Sequence, residues 1–127
     1  MSKRRTHTSL VLVVFFILTV VAATGAVAKG RQTPTRATKT VKGIVNHWSP
    51  TTVRISKGST IKWKAVSGTH TVTAYGGNWH FDHDLAMGQV EDRRFRQAGT
   101  FRFRCTIHST LTNGHCSGMC GKVVVSR

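Results

Sequence analysis

Cys105-Thr106-Ile107-His108 places a thiol and an imidazole with two residues between them. Met119 stands eleven positions after His108, and His70 lies far upstream. A thiolate is a soft ligand, imidazole suits several transition metals, and a thioether binds weakly. One thiolate, two imidazoles and a weak thioether form the ligand set of a blue-copper electron-transfer site. Copper held by His70, Cys105, His108 and Met119 is therefore the chemistry to expect.

Such residues work only if the chain holds them together. Gly99 to Cys105 alternates apolar and basic residues. In an extended strand Phe101, Phe103 and Cys105 share one face, and Arg102 and Arg104 share the other. The inner face thus ends on the thiol. His70 sits within a second strand pattern, Thr69 to Thr73. Further short alternating segments are Val41–Val45, Thr51–Ile55, Thr60–Lys64, Arg93–Gln97 around Phe95, and Lys122–Ser126. Ser49-Pro50, Lys57-Gly58, Ser67-Gly68 and Ala98-Gly99 separate them. Seven short strands with no 3.6-residue period predict an all-β fold, an antiparallel Greek-key β-sandwich. Tyr75 to Val90 is the one long connection, a length that is functional or loosely ordered in most small domains.

The start of the chain reads differently. Met1–Ser9 is polar and basic, Leu10–Ala23 is apolar apart from one Thr, and Ala26-Val27-Ala28 follows. These are the three parts of a secretory signal peptide over residues 1–28, cleaved near Ala28. The alternative is a membrane anchor formed by residues 10–28, although the apolar run is short for a span. Residues 29–40 hold Pro34 and scattered Lys and Arg but no large apolar side chain, and they read as a basic flexible linker. Residues 41–127 form the expected metal-binding domain. The mature chain works outside the cytosol, secreted or in the periplasm or cell envelope, where disulfides are permitted.

Three cysteines leave one without a partner. Cys116 and Cys120 flank Ser117-Gly118-Met119 and can pair if the backbone turns tightly, which Gly118 allows. Cys105 is then the odd thiol. It is either a small buried apolar residue or a metal ligand, and the nearby His108 and inward His70 favour the ligand.

The stretches SPTTVRISKGSTIKWK, GTHTV, FDHDLAMGQ, AGTFRFRCTIH and GMCGKVVV resemble the cupredoxins, the plastocyanin- and azurin-like small blue-copper proteins. The resemblance covers about residues 41–126. It implies His70, Cys105 and His108 as strong copper ligands, Met119 as a weak axial ligand, and a sandwich with copper at one end beneath loops. Three features depart from the family. The segment between His108 and Met119 is longer, and a longer loop orders its ligand less well unless braced; a Cys116–Cys120 bridge around Met119 is one brace. His115, inside that segment, is an alternative fourth ligand. Thr71 stands where plastocyanins carry Asn, and its hydroxyl is the candidate for tying the loops together. The third departure is charge, because photosynthetic plastocyanins often show acidic patches.

This chain is basic. Of 19 Lys and Arg, three lie at positions 3–5, so from residue 29 onward 16 cations face four acids, Asp82, Asp84, Glu91 and Asp92. Such a charge bears on partners rather than on fold. The expected role is a monomeric electron carrier that docks an acidic redox partner or lies at an anionic envelope surface. An enzyme is not expected, since ligands for only one copper are present. A copper storage or delivery module is the alternative. Specific nucleic-acid binding is not expected, because the cations fall on alternate strand positions without interleaved aromatics. His47 is expected in a loop. His80, His83 and Asp84 could form a second metal site but lack a spacing signature, so they read as solvated.

Overall fold

A computed structural model describes residues 36–77 and 79–127. The expected leader and residues 29–35 of the expected linker lie outside the described residues. Nine strands are present among the described residues: β1 (Thr38–Ile44), β2 (His47–Ser49), β3 (Thr52–Ser56), β4 (Thr60–Ala65), β5 (His70–Tyr75), β6 (Asp82–Leu85), β7 (Val90–Arg94), β8 (Gly99–Thr112) and β9 (His115–Ser126). They form two sheets, ordered β2-β1-β4-β7 and β3-β9-β8-β5-β6.

Alternation sets which face goes inward. In β4, Ile61, Trp63 and Ala65 are fully buried while Lys62 and Lys64 are exposed. In β8, Phe101, Phe103 and Cys105 point in. Trp48 and Trp63, both from the four-stranded sheet, meet Phe103 of the five-stranded sheet edge-on at 5.5 and 5.3 Å between ring centroids. Removing such side chains from water contributes roughly 1.5–3 kcal/mol each.

The sandwich is antiparallel apart from two parallel pairs, β1 with β4 and β3 with β9. Several boundaries differ from the sequence reading. β1 begins at Thr38, inside the segment read as linker, because Thr38–Thr40 pair with Thr60–Lys62 through the backbone and bury no side chain. The strand expected at Arg93–Gln97 runs from Val90 to Arg94, paired with β4, and Phe95 plugs the core just beyond its end. The long connection contains β6, an edge strand whose polar Asp-His-Asp sequence hides it from apolar periodicity.

The largest difference lies between β8 and β9. Both strands run far past the expected limits and join through Asn113-Gly114, each with positive φ. That dipeptide is the preferred two-residue hairpin turn. What reads as an extended loop is an ordered ribbon, with Ser109 paired to Gly118 and Thr112 to His115.

The directions of the strands bring the β1–β2, β4–β5 and β6–β7 connections and the β8–β9 ribbon to one end. His70 opens β5 at that end.

Candidate metal centre

Three side chains meet there. His70 and Cys105 are fully buried and His108 is half-buried. Cys105 Sγ lies 3.4 Å from His108 Nδ1 and 3.9 Å from His70 Nδ1. All three donor atoms fall within 4.8 Å of one another. A point equidistant from donors spaced in this way lies about 2.0–2.4 Å from each, the length of metal bonds to imidazole nitrogen and thiolate sulfur. The donor set therefore fits a small transition-metal ion. No other group of three or more His, Cys, Asp or Glu among the described residues has this property.

Each donor has a local cause. His70 Nε2 lies 2.8 Å from the Ser67 carbonyl oxygen. A carbonyl only accepts, so Nε2 carries the proton and Nδ1 keeps its lone pair toward Cys105. Orienting partners of this kind fix the tautomer of a ligating imidazole. Gly43 packs beneath the ring, where a Cβ would stand 2.7 Å from His70 Cδ2. Trp48 closes the same ring from the side, at 5.7 Å between centroids.

The Thr71 amide donates to Cys105 Sγ at 3.3 Å. The Thr71 hydroxyl accepts the Thr106 amide at 2.9 Å and meets the Thr106 hydroxyl at 3.0 Å. One threonine thus ties β5 to the segment that carries the thiol, the role considered for its hydroxyl.

His108 and Met119 share an irregularity. Arg104 pairs with Cys120 and Ser109 with Gly118, so Cys105, Thr106, Ile107 and His108 face Met119 alone. Four residues against one make a special, enlarged bulge, which turns His108 toward Cys105 within a continuous pair of strands. Ser109 steadies it, its hydroxyl donating to the Cys105 carbonyl. Met119 is 1% exposed and continues the inner-face alternation of Val125, Val123 and Gly121.

Cys116 and Cys120 are disulfide-bonded, with Cα atoms 6.1 Å apart. Residues four apart in an extended strand would be separated by about 13 Å. β9 therefore doubles back between them, at Gly118, whose φ is +95° and whose Cβ would strike the His108 carbonyl. The bridge spans the kink that carries Met119. Cys105 is the free cysteine and is buried.

The other histidines lie elsewhere. His115 is exposed at the ribbon tip, opposite Thr112 and outside the donor group. His47 is exposed in β2. His80 is exposed, and His83 pairs with Glu91 at 3.3 Å while lying against the Phe81 ring. The sequence reading missed Gly43, Ser67 and Ser109; only Ser67-Gly68 carried a signal, that of a turn.

No family model matches the chain, and no curated protein matches it in sequence. Solved structures do. A reduced amicyanin variant is 22% identical, with a TM-score of 0.60, over 70% of this chain and 82% of its own. A purple cupredoxin from Nitrosopumilus maritimus is 19% identical, with a TM-score of 0.55, over 69% of this chain and 99% of its own. A copper-containing nitrite reductase from Thermus scotoductus is 20% identical, with a TM-score of 0.58, over 69% of this chain but only 22% of its own. The fold is the cupredoxin fold.

Proposed function

We propose that this cupredoxin-fold chain binds one copper ion through His70, Cys105, His108 and Met119 and carries single electrons. The observation that carries this reading is the buried Sγ with two imidazole nitrogens at 3.4 and 3.9 Å, each imidazole reaching it from a different part of one sheet. Copper bound there would alternate between Cu(II) and Cu(I), and a thiolate, imidazole and thioether set accommodates both states. The chain's part is to hold the donors still. Ser67 fixes the His70 tautomer, Thr71 donates to the sulfur, and the bulge aims His108. The purple cupredoxin and amicyanin neighbours support the same reading.

The protein itself makes and breaks no bonds on this reading. The nitrite reductase neighbour is matched over about a fifth of its length, so its activity does not transfer to this chain. Electrons pass at the half-buried edge of His108. Every large exposed hydrophobic among the described residues lies at that end: Val45, Val66, Met87, Val90, Ile107 and Leu111. Exposed apolar patches mark interaction sites, and this one fits a redox partner. The basic surface favours an acidic partner or an anionic envelope surface, to which residues 1–28 deliver the chain as a cleaved leader.

The test is the visible spectrum of the Cu(II)-loaded protein and of Cys105→Ser. An intense thiolate-to-copper band that vanishes in the variant supports the proposal. A faint band indifferent to Cys105 sinks it.

A further inference from the structure

The outer face of the five-stranded sheet separates its cations from its acids. The registers place Thr52, Lys122, Arg102 and Tyr75 side by side across β3, β9, β8 and β5. Lys122 and Arg102 are direct cross-strand partners, and both are exposed. The next row toward the donor end is Cys120, Arg104, Thr73 and Asp82. Arg54 lies in the row on the other side, with Val124 and Thr100. Three cations, Lys122, Arg102 and Arg104, thus occupy the two adjoining strands β9 and β8, and Arg54 adds a fourth from the edge strand β3. The acids of this face, Asp82 and Asp84, are confined to the edge strand β6, where Asp82 already accepts the Thr73 hydroxyl.

Like charges set directly opposite across strands are destabilising. The other sheet has such a pair too, Lys42 and Lys64, but there Asp92 stands opposite Lys62, so both signs share that face. On the five-stranded sheet no carboxylate among the described residues pairs with Lys122 or Arg102; Glu91 pairs with His83 instead. Between Lys122 and Arg102 lies a depression of about 280 Å³ lined by Thr51, Thr52, Tyr75, Arg102, Cys120, Gly121 and Lys122. It offers two cations and the side of a half-buried tyrosine to an anionic group.

We infer that this face, centred on Lys122, Arg102 and Tyr75, is the docking surface for the carboxylates of an acidic protein partner. The inference rests on the proposed electron-carrier role. It adds that the partner grips the flank of the sandwich as well as the apolar end. A rigid strand links grip and site, since β8 carries Arg102 and Arg104 and then Cys105. A sheet face with one tyrosine gives successive bases little to stack on, which favours a protein over a nucleic acid.

The experiment uses hexacyanoferrate(III), a small trianion, as oxidant of the Cu(I) protein. One electron leaves Cu(I) and reduces the oxidant to hexacyanoferrate(II). At low ionic strength Arg102→Gln/Lys122→Gln should slow the reaction about fivefold or more, and the gap should close in high salt. Lys57→Gln/Arg94→Gln removes the same charge from the end away from the donors, where both side chains are exposed, and should stay within about twofold of the parent. Equal slowing by both pairs, or by neither, overturns the inference. Line broadening by hexacyanochromate(III) on the copper-free protein reads the same face without electron transfer. Loss of amide signals at Tyr75, Arg102 and Lys122 supports the face even if the carrier role fails, and uniform broadening overturns it. Electrophoresis with a single-stranded oligonucleotide at physiological salt completes the test. Retardation abolished by Arg102→Gln/Lys122→Gln would assign the face to nucleic acid instead.

Discussion

Thr71 holds Cys105 at both ends of one hydrogen-bond pair: its amide donates to Sγ at 3.3 Å, and its hydroxyl accepts the amide of Thr106, the next residue, at 2.9 Å. The thiol is therefore fixed by a neighbouring strand as well as by its own. Removing the hydroxyl leaves a part-buried amide without its acceptor. Thr71→Val should destabilise the copper-free protein by about 1–3 kcal/mol, read from urea unfolding, whereas Thr71→Ser should recover most of the loss. Equal stability of the Val variant would show that the hydroxyl ties nothing.

The disulfide makes a separate prediction. Cys116→Ser/Cys120→Ser should cost about 2 kcal/mol of stability on the loop-closure account. Because the bridge brackets Met119, the variant should also show an altered ratio of visible bands with copper bound. An unchanged spectrum would mean that Met119 keeps its place without the brace. Finding both thiols free in the parent protein would remove the brace altogether.

Gly118 approaches His108 more closely than any side chain permits, and its φ of +95° disfavours other residues. Gly118→Ala should destabilise by on the order of 1–3 kcal/mol and displace the His108 segment. The paired check is the His108 ring proton shifts in the copper-free protein, which should move in Gly118→Ala and stay put in Gly114→Ala, where a Cβ meets open space. Unmoved His108 shifts would overturn the account.

Met119 and His115 are separated by burial, one 1% exposed and the other on the surface. Met119→Ala should keep the intense band but shift it and the reduction potential, because an axial thioether tunes such a site. His115→Ala should change neither. The reverse pattern would make His115 the fourth ligand.

Val45 has φ +39° and is 62% exposed, so a β-branched residue occupies a left-handed turn at the donor end. Its amide donates to Ser67 Oγ, a bond that any residue there can make. Val45→Asn should stabilise the fold by about 1 kcal/mol, measured by urea unfolding, and lose apolar docking area. A destabilised variant would show that the valine side chain contributes more than the strain removes.

Much of this was legible from residue order alone. A period of two marks β4 and β8 as far as Cys105 without ambiguity, because each buries one face only there. It also puts Cys105 inward, since Phe101 and Phe103 share its parity. β6 and the start of β1 escaped because their bonds are backbone bonds at polar positions, where side-chain pattern carries no signal. The β8–β9 ribbon could have been found from Asn113-Gly114, whose preference for positive φ is a local property.

The sequence by itself determined the donor types, the inward parity of the thiol and a cysteine pair flanking Met119. These depend on residue chemistry and on alternation along one strand. Only the tertiary structure decided that His70 Nδ1 turns to Cys105, that four residues of β8 face Met119 alone, and that Lys122 stands opposite Arg102. Those facts depend on register between strands distant in sequence, and register is set by how two whole faces bury each other.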